Sequence, residues 1–289
     1  MQQEWHNQGT DIVPLQLRAS QIHRICTNKP YFDPVEYAHT EQDFIATLEK
    51  KKLIYEPDQI DLYCETDGIK TKAQKLRGLM EKRILAEEDP LPQGAKTYLQ
   101  ELWLEANCNF YDLSLNPDDP KLLKGNMVED DAIELVGNLY QLNIKKNDNR
   151  IVKGNITGEC DVTYNTVVRD AKCPENWASF RKKTGIEIAY FWQLVTYCYL
   201  YDCNEAYLDY ILMKTPRELI DIMCIGKDAT YKEKLIASND AIDNLTLDQR
   251  VKTYQAENIQ SSIEFLLSRA SKAEEYYNNL TYEECMNMN

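Results

Sequence analysis

Three consecutive residues, Asp170-Ala171-Lys172, place a carboxylate and an ammonium two positions apart near the end of a predicted strand. Side chains of a strand alternate between its two faces, so Asp170 and Lys172 share a face. Asp161 ends the preceding predicted strand and can meet Asp170 across a hairpin. Hydrolysis of a phosphodiester needs a hard divalent cation held by oxygen ligands and a water placed for in-line attack. Two carboxylates can hold Mg²⁺ or Mn²⁺, and Lys172 could orient the water or stabilise transition-state charge.

The same spacing also has a plainer interpretation as a solvated charge pair, because many surface hairpins carry Asp and Lys. Neighbouring motifs favour the catalytic interpretation. The run from Lys124 to Ala132 follows a Gly-x-x-x-Glu-x-x-Ala pattern, which predicts a helix start with Glu129 as its acid. Gln193 lies in an otherwise apolar stretch. An unpaired buried amide costs about 1–3 kcal/mol, so we expect Gln193 to have hydrogen-bond partners.

The spacing of apolar residues, together with Pro, Gly and Asn breakers, predicts the elements that position these groups. Helices are predicted over 17–26, 43–53, 71–85, 94–107, 127–140, 186–201 and 259–277, and strands over 151–162, 167–172, 206–213 and 250–256. A turn cluster at 116–120 ends the N-terminal helical region, and a polar linker follows the helix-start signal Thr215-Pro216. From 127 onward the order is α, β, β, α, β, so we expect an α/β (α+β) fold.

The charge of the chain is unevenly distributed. The net charge is −14, from 33 basic and 47 acidic residues, and this excess of acid opposes binding to a polyanion. The segment Lys121–Lys183, however, holds 11 basic and 9 acidic residues. A locally basic cleft within an acidic exterior suits an enzyme that must release and track DNA. Arg181, Lys182 and Lys183 follow the catalytic strand directly, so they are candidates for phosphate contact as well as for an ordinary solvated run.

Other features of the sequence limit the class of protein. The chain has no run of about 18 apolar residues and lacks the layout of a signal peptide, which predicts a soluble, cytoplasmic protein without a membrane partner. Its 9 cysteines form no CxxC pairs, so we expect reduced thiols rather than a zinc or iron–sulfur site. Trp177, like its aromatic neighbours, is expected to fill core rather than to stack on bases.

Together, in this order and spacing, the Glu129 helix motif, the two strand motifs and Gln193 resemble the phage lambda exonuclease and YqaJ-like viral recombinase branch of the PD-(D/E)XK nuclease superfamily. The resemblance covers 121–213 well, and the segment 17–22 is similar to the start of the family. It implies one nuclease domain over 1–289, with a catalytic core at 121–213 and an inserted helical region at 27–92. The implied architecture is a restriction-endonuclease-like core, in which a central mixed sheet is flanked by helices.

The resemblance also implies roles for individual residues. Glu129, Asp161, Asp170 and Lys172 match the family's active site, the carbonyl of Ala171 could complete the metal shell, and Gln193 matches a glutamine of the family's helix. Arg18 is a candidate for holding a terminal 5′-phosphate. The implied cofactor is Mg²⁺, for which Mn²⁺ can substitute. The implied activity is 5′ to 3′ digestion of linear double-stranded DNA in phage-type recombination, by a ring trimer that acts with a single-strand annealing protein in the host cytoplasm.

Two other functions remain open from the sequence. One is another PD-(D/E)XK nuclease, such as an endonuclease of restriction or repair. The other is a catalytically inactive module that binds DNA or protein through the same fold. The presence of all four catalytic positions argues against the inactive module, which would have no chemical reason to retain them.

Overall fold

Seven strands form two sheets in the computed structural model, which describes residues 12–26, 34–88, 91–110 and 119–286. The strands are β1 (Leu17–Arg18), β2 (Ile151–Lys153), β3 (Ile156–Gly158), β4 (Val162–Tyr164), β5 (Val167–Lys172), β6 (Glu205–Ile211) and β7 (Val251–Gln255). The larger sheet has the order β4-β5-β6-β7, in which the β5–β6 pair is parallel and the two outer pairs are antiparallel. The smaller sheet has the order β1-β3-β2. A central mixed sheet is therefore confirmed.

Helices make up most of the remaining described chain. They are α1 (His23–Cys26), α2 (Pro34–Lys50), α3 (Ile60–Glu65), α4 (Lys70–Glu88), α5 (Gln93–Cys108), α6 (Pro120–Tyr140), α7 (Trp177–Arg181), α8 (Ile188–Tyr201), α9 (Arg217–Met223), α10 (Ala229–Asp240), α11 (Leu247–Arg250), α12 (Ile259–Asn278) and α13 (Tyr282–Met286). Short 3₁₀ turns lie at Ala19–Gln21, Pro57–Gln59 and Ala241–Asn244.

Two helices cover opposite faces of the larger sheet. Alternate residues of β5 point to opposite sides, and Val168 packs with α8 in the main core while Ala171 packs with α6 in a second cluster. The buried face of α8 includes Leu194, Val195 and Leu200, and α12 and α5 pack outside it in the same core. The predicted buried helix over 186–201 and the flanked mixed sheet are confirmed.

The helix that carries Glu129 begins earlier than predicted. Pro120 occupies the first turn of α6, where its missing N–H removes no helical hydrogen bond, and the Asp119 side chain accepts a hydrogen bond from the backbone N–H of Lys121 at 2.9 Å. The predicted start at 127 is therefore wrong, and Glu129 lies in the middle of a helix. Of the predicted turn cluster, residues 116–118 lie outside the described residues.

The single strand predicted over 151–162 is also wrong. A turn at Gly154, with φ of 59°, divides it into the β2–β3 hairpin, and β4 then joins the other sheet. The Gly154-Asn155 pair is a common hairpin signal that the period-two pattern concealed. The helix predicted over 17–26 instead starts as β1, because the Leu17 N–H donates to the carbonyl of Asn155 and Leu17 is fully buried against β3.

Two further segments differ from the prediction. The polar linker after Pro216 contains α9, α10 and α11. The helix predicted over 43–53 is α2, which ends at Lys50 because the chain turns through Lys52, where φ is 58°. Helices α2, α3 and α4 share a small hydrophobic cluster of their own that includes Phe44, Leu48 and Leu76. The predicted insertion over 27–92 remains a prediction, and its residues 27–33 and 89–90 lie outside the described part.

Within the described ranges, no helix has the length and apolar character needed to cross a membrane. All 9 cysteines lie in these ranges and are free thiols, seven of them buried, as expected for reduced cysteines.

Candidate active site

The two strand acids meet where β4 and β5 adjoin. Val162 pairs with Arg169 in the antiparallel register, so Asp161, one residue before β4, lies beside Asp170. The Asp161 carboxylate accepts a hydrogen bond of 2.6 Å from the backbone N–H of Ala171. This bond fixes the Asp161 carboxylate relative to the strand that carries Asp170 and Lys172.

Asp170 is the most buried of the acids. Its side chain is 1% exposed, and the Lys172 ammonium lies 2.5 Å from Asp170 Oδ2. Burial is the main cause that raises the pKa of Asp170 above its ordinary value, and the Lys172 charge opposes that shift. Burial and then the charge of Asp170 raise the pKa of Asp161 well above its ordinary value. The two acids therefore bind protons more readily than solvent-exposed carboxyls, as expected for carboxyls that are removed from water.

Lys172 points toward aromatic rings that the sequence did not assign to the site. Its Nζ lies 5.4 Å from the centre of the Tyr190 ring, and Lys172 is the register partner of Tyr210 on the parallel strand β6. The two rings pack edge to face with centroids 6.3 Å apart. The charges of Asp170 and Asp161 raise the pKa of Lys172 despite its burial. Lys172 therefore stays protonated and serves as a fixed cation.

Glu129 lies at the rim of the site and is paired with a lysine. Lys146 Nζ lies 3.1 Å from Glu129 Oε2 and 3.1 Å from Asp130 Oδ1. Hydrogen bonds to these two acids raise the pKa of Lys146 to about 12. Sequence reasoning missed Lys146, whose only signal was its place in the loop between α6 and β2.

A cleft of about 470 Å³ joins these groups. Its lining includes Glu129, Asp161, Ala171, Lys172 and Lys183, while Asp170 lies behind Lys172. The cleft also contains the Tyr190 and Tyr210 rings, the exposed Leu122 and Lys121. Four of the residues predicted for catalysis or metal binding thus line one cleft, and Asp170 contacts Lys172 of that lining.

Gln193 lies on α8 outside the residues that line this cleft. Its Nε2 donates a hydrogen bond of 2.7 Å to Tyr197 Oη, which supplies the predicted partner for the buried amide. Burial, followed by the charges of Asp170 and Asp161, raises the pKa of Tyr197. The Gln193–Tyr197 pair is therefore near the acids, on the side of the sheet covered by α8.

The predicted DNA-binding residues are dispersed. Lys183 lines the cleft, and its ammonium pairs with Glu187. Arg181 and Lys182 are exposed and do not line it. Arg18 faces two other cavities, one of which it shares with Tyr197.

The structure corrects the expectation that Trp177 fills core. Its side chain is exposed, with a relative accessibility of 51%, and it packs beside the Arg181 guanidinium at 5.5 Å from the ring centre.

Two lysines, Lys124, which is buried, and Lys252, which is half-buried, hold the segment between β5 and α8. Lys124 of α6 donates to the carbonyls of Pro174 and Glu175 at 3.1 and 2.9 Å. Lys252 of β7 donates to the carbonyls of Phe180, Arg181 and Lys183 at 3.2, 3.1 and 2.9 Å, respectively. The wall of the cleft that follows the catalytic strand is therefore anchored at both ends.

The chemistry of the acids fits a divalent cation, and one carboxylate oxygen of Asp170 has no hydrogen-bond partner in the described chain. Asp170 Oδ1 is buried, and burial followed by the charge of Asp170 raises the pKa of Asp161. Two carboxylates, a backbone carbonyl and water are oxygen ligands of the kind that Mg²⁺ uses. No three His, Cys, Asp or Glu side chains in the described ranges are grouped closely enough to hold a metal together. Glu129, the third acid of the cleft, is paired with Lys146.

Comparison with solved structures finds one protein of the same fold and two with weaker structural similarity. A phage-related exonuclease from Haemophilus somnus 129PT aligns with a TM-score of 0.64 at 22% sequence identity, over 94% of this chain and 97% of that one. An alkaline exonuclease, LHK-Exo, from Laribacter hongkongensis aligns with a TM-score of 0.45 at 12% identity, over 68% of this chain and 88% of that one. The structure of LHK-Exo in complex with dAMP gives a TM-score of 0.44 at 13% identity, over 71% of this chain and 92% of that one.

No protein-family model and no curated protein matches the chain. The chain thus has the fold of a phage-related exonuclease, as the resemblance to the lambda exonuclease and YqaJ-like family implied.

Proposed function

We propose that the chain is a Mg²⁺-dependent DNA exonuclease that hydrolyses linear double-stranded DNA, with Mn²⁺ able to replace Mg²⁺. The observation that carries this proposal is the convergence of Asp161, Asp170 and Lys172 at the end of two adjacent strands, with Glu129 on the rim of the same cleft. Phosphodiester hydrolysis requires oxygen ligands, a fixed positive charge and room for a phosphate at one place. This set of groups meets those requirements.

Each residue has a role that follows from its place. Asp161 and Asp170, with the Ala171 carbonyl, are the proposed ligands of the divalent cation. When bound, that cation supplies positive charge to the scissile phosphate and lowers the pKa of a coordinated water. Lys172 is held by Asp170, so its ammonium is positioned to orient the attacking water or to stabilise negative charge on the phosphate. Glu129 is a candidate for the third acid of the site, and Gln193 positions Tyr197 beside the strand acids.

A second function, as an endonuclease of the same superfamily, follows from the open shape of the cleft, because a strand with no free end could also enter it. A binding module without activity would retain the fold but would not need the buried Asp170–Lys172 pair. Desolvating two charges is costly, and apolar residues of similar volume often stabilise a fold equally well. That cost favours a catalytic role.

Incubation with linear and with covalently closed circular duplex, first with Mg²⁺ and then with EDTA, tests the proposal. We expect digestion of the linear duplex alone, and only with the metal. Cleavage of the circle would indicate the endonuclease, and an absence of cleavage on both substrates with Mg²⁺ or Mn²⁺ would reject a nuclease. Duplexes labelled at the 5′ or the 3′ end give the direction, for which we propose 5′ to 3′ in a recombination role.

We further propose that Lys183, Arg181 and Lys182 contact the phosphate backbone of the substrate, while Arg18 binds a terminal 5′-phosphate. Neutralising Lys183 should weaken DNA binding and reduce the dependence of affinity on salt, because each phosphate contact releases counterions. Binding titrations at two salt concentrations measure this. Binding of 5′-phosphorylated and 5′-hydroxyl ends by Arg18→Ala tests the second role, since loss of discrimination is expected.

A ring trimer that encloses duplex is the proposed assembly, with a single-strand annealing protein as its partner. Ring closure needs a heterologous interface between copies. Light scattering at micromolar concentration, with and without DNA, should return a trimer. A monomer under both conditions would remove the ring from the proposal.

A further inference from the structure

The ammonium of Lys146 places a positive charge beside the proposed metal site. Its ammonium bridges Glu129 and Asp130 at 3.1 Å each, and of these acids only Glu129 lines the cleft. The Glu129 side chain is 26% exposed and that of Asp130 is 79% exposed. The ion pair of Lys146 with Glu129 is therefore less exposed to solvent than its ion pair with Asp130.

The loop that carries Lys146 is fixed to Asp161. The backbone N–H of Asn147 donates to the carbonyl of Asp161 at 2.7 Å, and its side-chain amide donates to the carbonyl of Cys160 at 2.9 Å. The same amide donates to Tyr201 Oη of α8 at 2.9 Å. On the other side of Lys146, Ile144 packs into the cluster beneath α6. These anchors hold Lys146 between the helix acid and the strand acid.

We propose that Lys146 is a positioning residue that acts as the built-in counter-ion of Glu129, and that a divalent cation displaces its ammonium when Glu129 joins Asp161 and Asp170. This inference rests on the proposed function and assigns to it a residue outside the four catalytic positions. The ammonium balances an acid that would otherwise add to the repulsion among the carboxylates. It therefore competes with the divalent cation for Glu129.

The competition predicts the direction of a mutational effect. Removing the ammonium frees Glu129 and removes a positive charge near the bound cation, so Lys146→Met should bind Mn²⁺ more tightly than the wild type. We expect the Kd to fall about tenfold, the scale of one unit charge acting over a few ångströms in a largely solvated site. Lys146→Arg keeps the charge and should bind Mn²⁺ as the wild type does. A role for Lys146 as a mere support of the loop would instead weaken binding.

Lys145→Met provides the matched control. Lys145 is the neighbouring exposed lysine, and no ion pair involves it in the described chain. Isothermal titration of each full-length variant with Mn²⁺ alone, without DNA, gives the Kd, and circular dichroism in EDTA checks that each variant is folded. The Mn²⁺ concentration for half-maximal cleavage should fall in parallel with the Kd.

The outcomes separate this inference from the proposed function. A wild type that binds Mn²⁺ and a Lys146→Met variant with a lower Kd than Lys145→Met support the counter-ion role. An equal or higher Kd in Lys146→Met than in Lys145→Met overturns that role and leaves the nuclease proposal intact. A wild type that does not bind Mn²⁺ overturns both.

Discussion

Lys172 Nζ lies 2.5 Å from Asp170 Oδ2, and the two residues are held on one face of the same strand. Asp170 is almost completely buried, while Lys172 reaches the cleft with its side chain 26% exposed. Breaking a buried ion pair by removing one partner leaves the other charge uncompensated, whereas removing both partners does not. Each residue of the pair therefore protects the fold against the uncompensated charge of the other, and this effect on folding can be separated from the proposed chemistry by mutation.

Lys172→Met should abolish cleavage and also lower the free energy of unfolding, by about 3 kcal/mol, because it leaves the Asp170 carboxylate buried without a partner. Asp170→Asn should likewise be inactive and destabilised. The double variant Asp170→Asn, Lys172→Met should be inactive but more stable than Lys172→Met alone. Denaturant unfolding combined with cleavage assays on the three proteins measures both effects. Cleavage at the wild-type rate by either single variant would refute the assignment of the active site.

The strand pair at the site could be predicted from the sequence because its geometry depends only on residues close together in the chain. Asp170 and Lys172 share a face through the alternation of a strand, and the turn at Asn165, with a positive φ of 51°, fixes the hairpin register that brings Asp161 to Asp170. Lys146 could not be predicted in this way. Its role depends on a loop whose position is set by Asn147 and the backbone of Asp161, and no periodic pattern encodes such a contact.

The misplaced elements have a similar cause. Leu17 forms a strand because it pairs with β3, which lies about 140 residues later in the chain. The apolar residues of 17–26 fit a helix equally well until that partner is present. The break at Gly154, in contrast, has a turn signal in the sequence, the Gly-Asn pair. The alternation of the flanking residues predicted one continuous strand in spite of this signal.

Removal of the metal should make stability depend on pH in a direction set by Asp161. Because its pKa is raised in the folded state, the protonated form favours folding, and this contribution is lost as the pH rises from the ordinary value of 3.8 through the raised value. In EDTA, Asp161→Asn should therefore be more stable than the wild type at neutral pH, and the difference should shrink as the pH falls. Thermal unfolding of both proteins across this range measures the difference.

Mn²⁺ should reverse that ranking at neutral pH. Metal at about 100 times Kd stabilises a folded protein by roughly 2.7 kcal/mol, and Asp161→Asn should lose most of this gain. Asp131→Asn is the control, because Asp131 is exposed, does not line the cleft and has no ion pair in the described chain. It should keep the Mn²⁺ shift. An equal shift in the wild type and in an Asp161→Asn, Asp170→Asn variant would show that the ion binds elsewhere.

Lys124 should determine how firmly the wall after β5 is held. Burial lowers the pKa of Lys124 to about 8, and weaker opposing effects come from Cys173 and Glu175. A folded pKa below the unfolded value means that this residue contributes more stability as the pH rises from about 8 to 10.5. Lys124→Met leaves two carbonyls without their donor, which costs about 1–3 kcal/mol. The wild type should therefore have the higher free energy of unfolding, and the difference should grow as the pH rises from about 8 to 10.5.

The matched control for Lys124 is Lys121→Met on the same helix. Lys121 has a side chain that is 63% exposed and pairs with Glu175 at 3.3 Å, and such surface pairs contribute about 0–1 kcal/mol. Hydrogen exchange should accelerate in 174–181 in Lys124→Met but remain as in the wild type in Lys121→Met. Equal exchange in the two variants would show that Lys124 does not anchor the wall.

Gly158 should tolerate no side chain, because three side chains from two parts of the fold approach it closely. A Cβ at this position would lie 2.8 Å from Ala19 Cβ, 2.9 Å from Leu200 Cδ1 and 3.1 Å from Tyr197 Cε1. The first contact belongs to the N-terminal segment and the other two to α8, so Gly158→Ala must push both away from β3. Overpacking of this kind costs about 1–3 kcal/mol, and cleavage should also fall because Asp161 follows three residues later.

Gly78→Ala in α4 is the control, since nothing lies within 4 Å of its Cβ, and alanine there should stabilise the helix by about 1 kcal/mol. Denaturant unfolding of the two variants should therefore give shifts of opposite sign, and a Gly158→Ala protein as stable as the wild type would mean that the N-terminal segment does not pack against β3 as closely as these distances indicate.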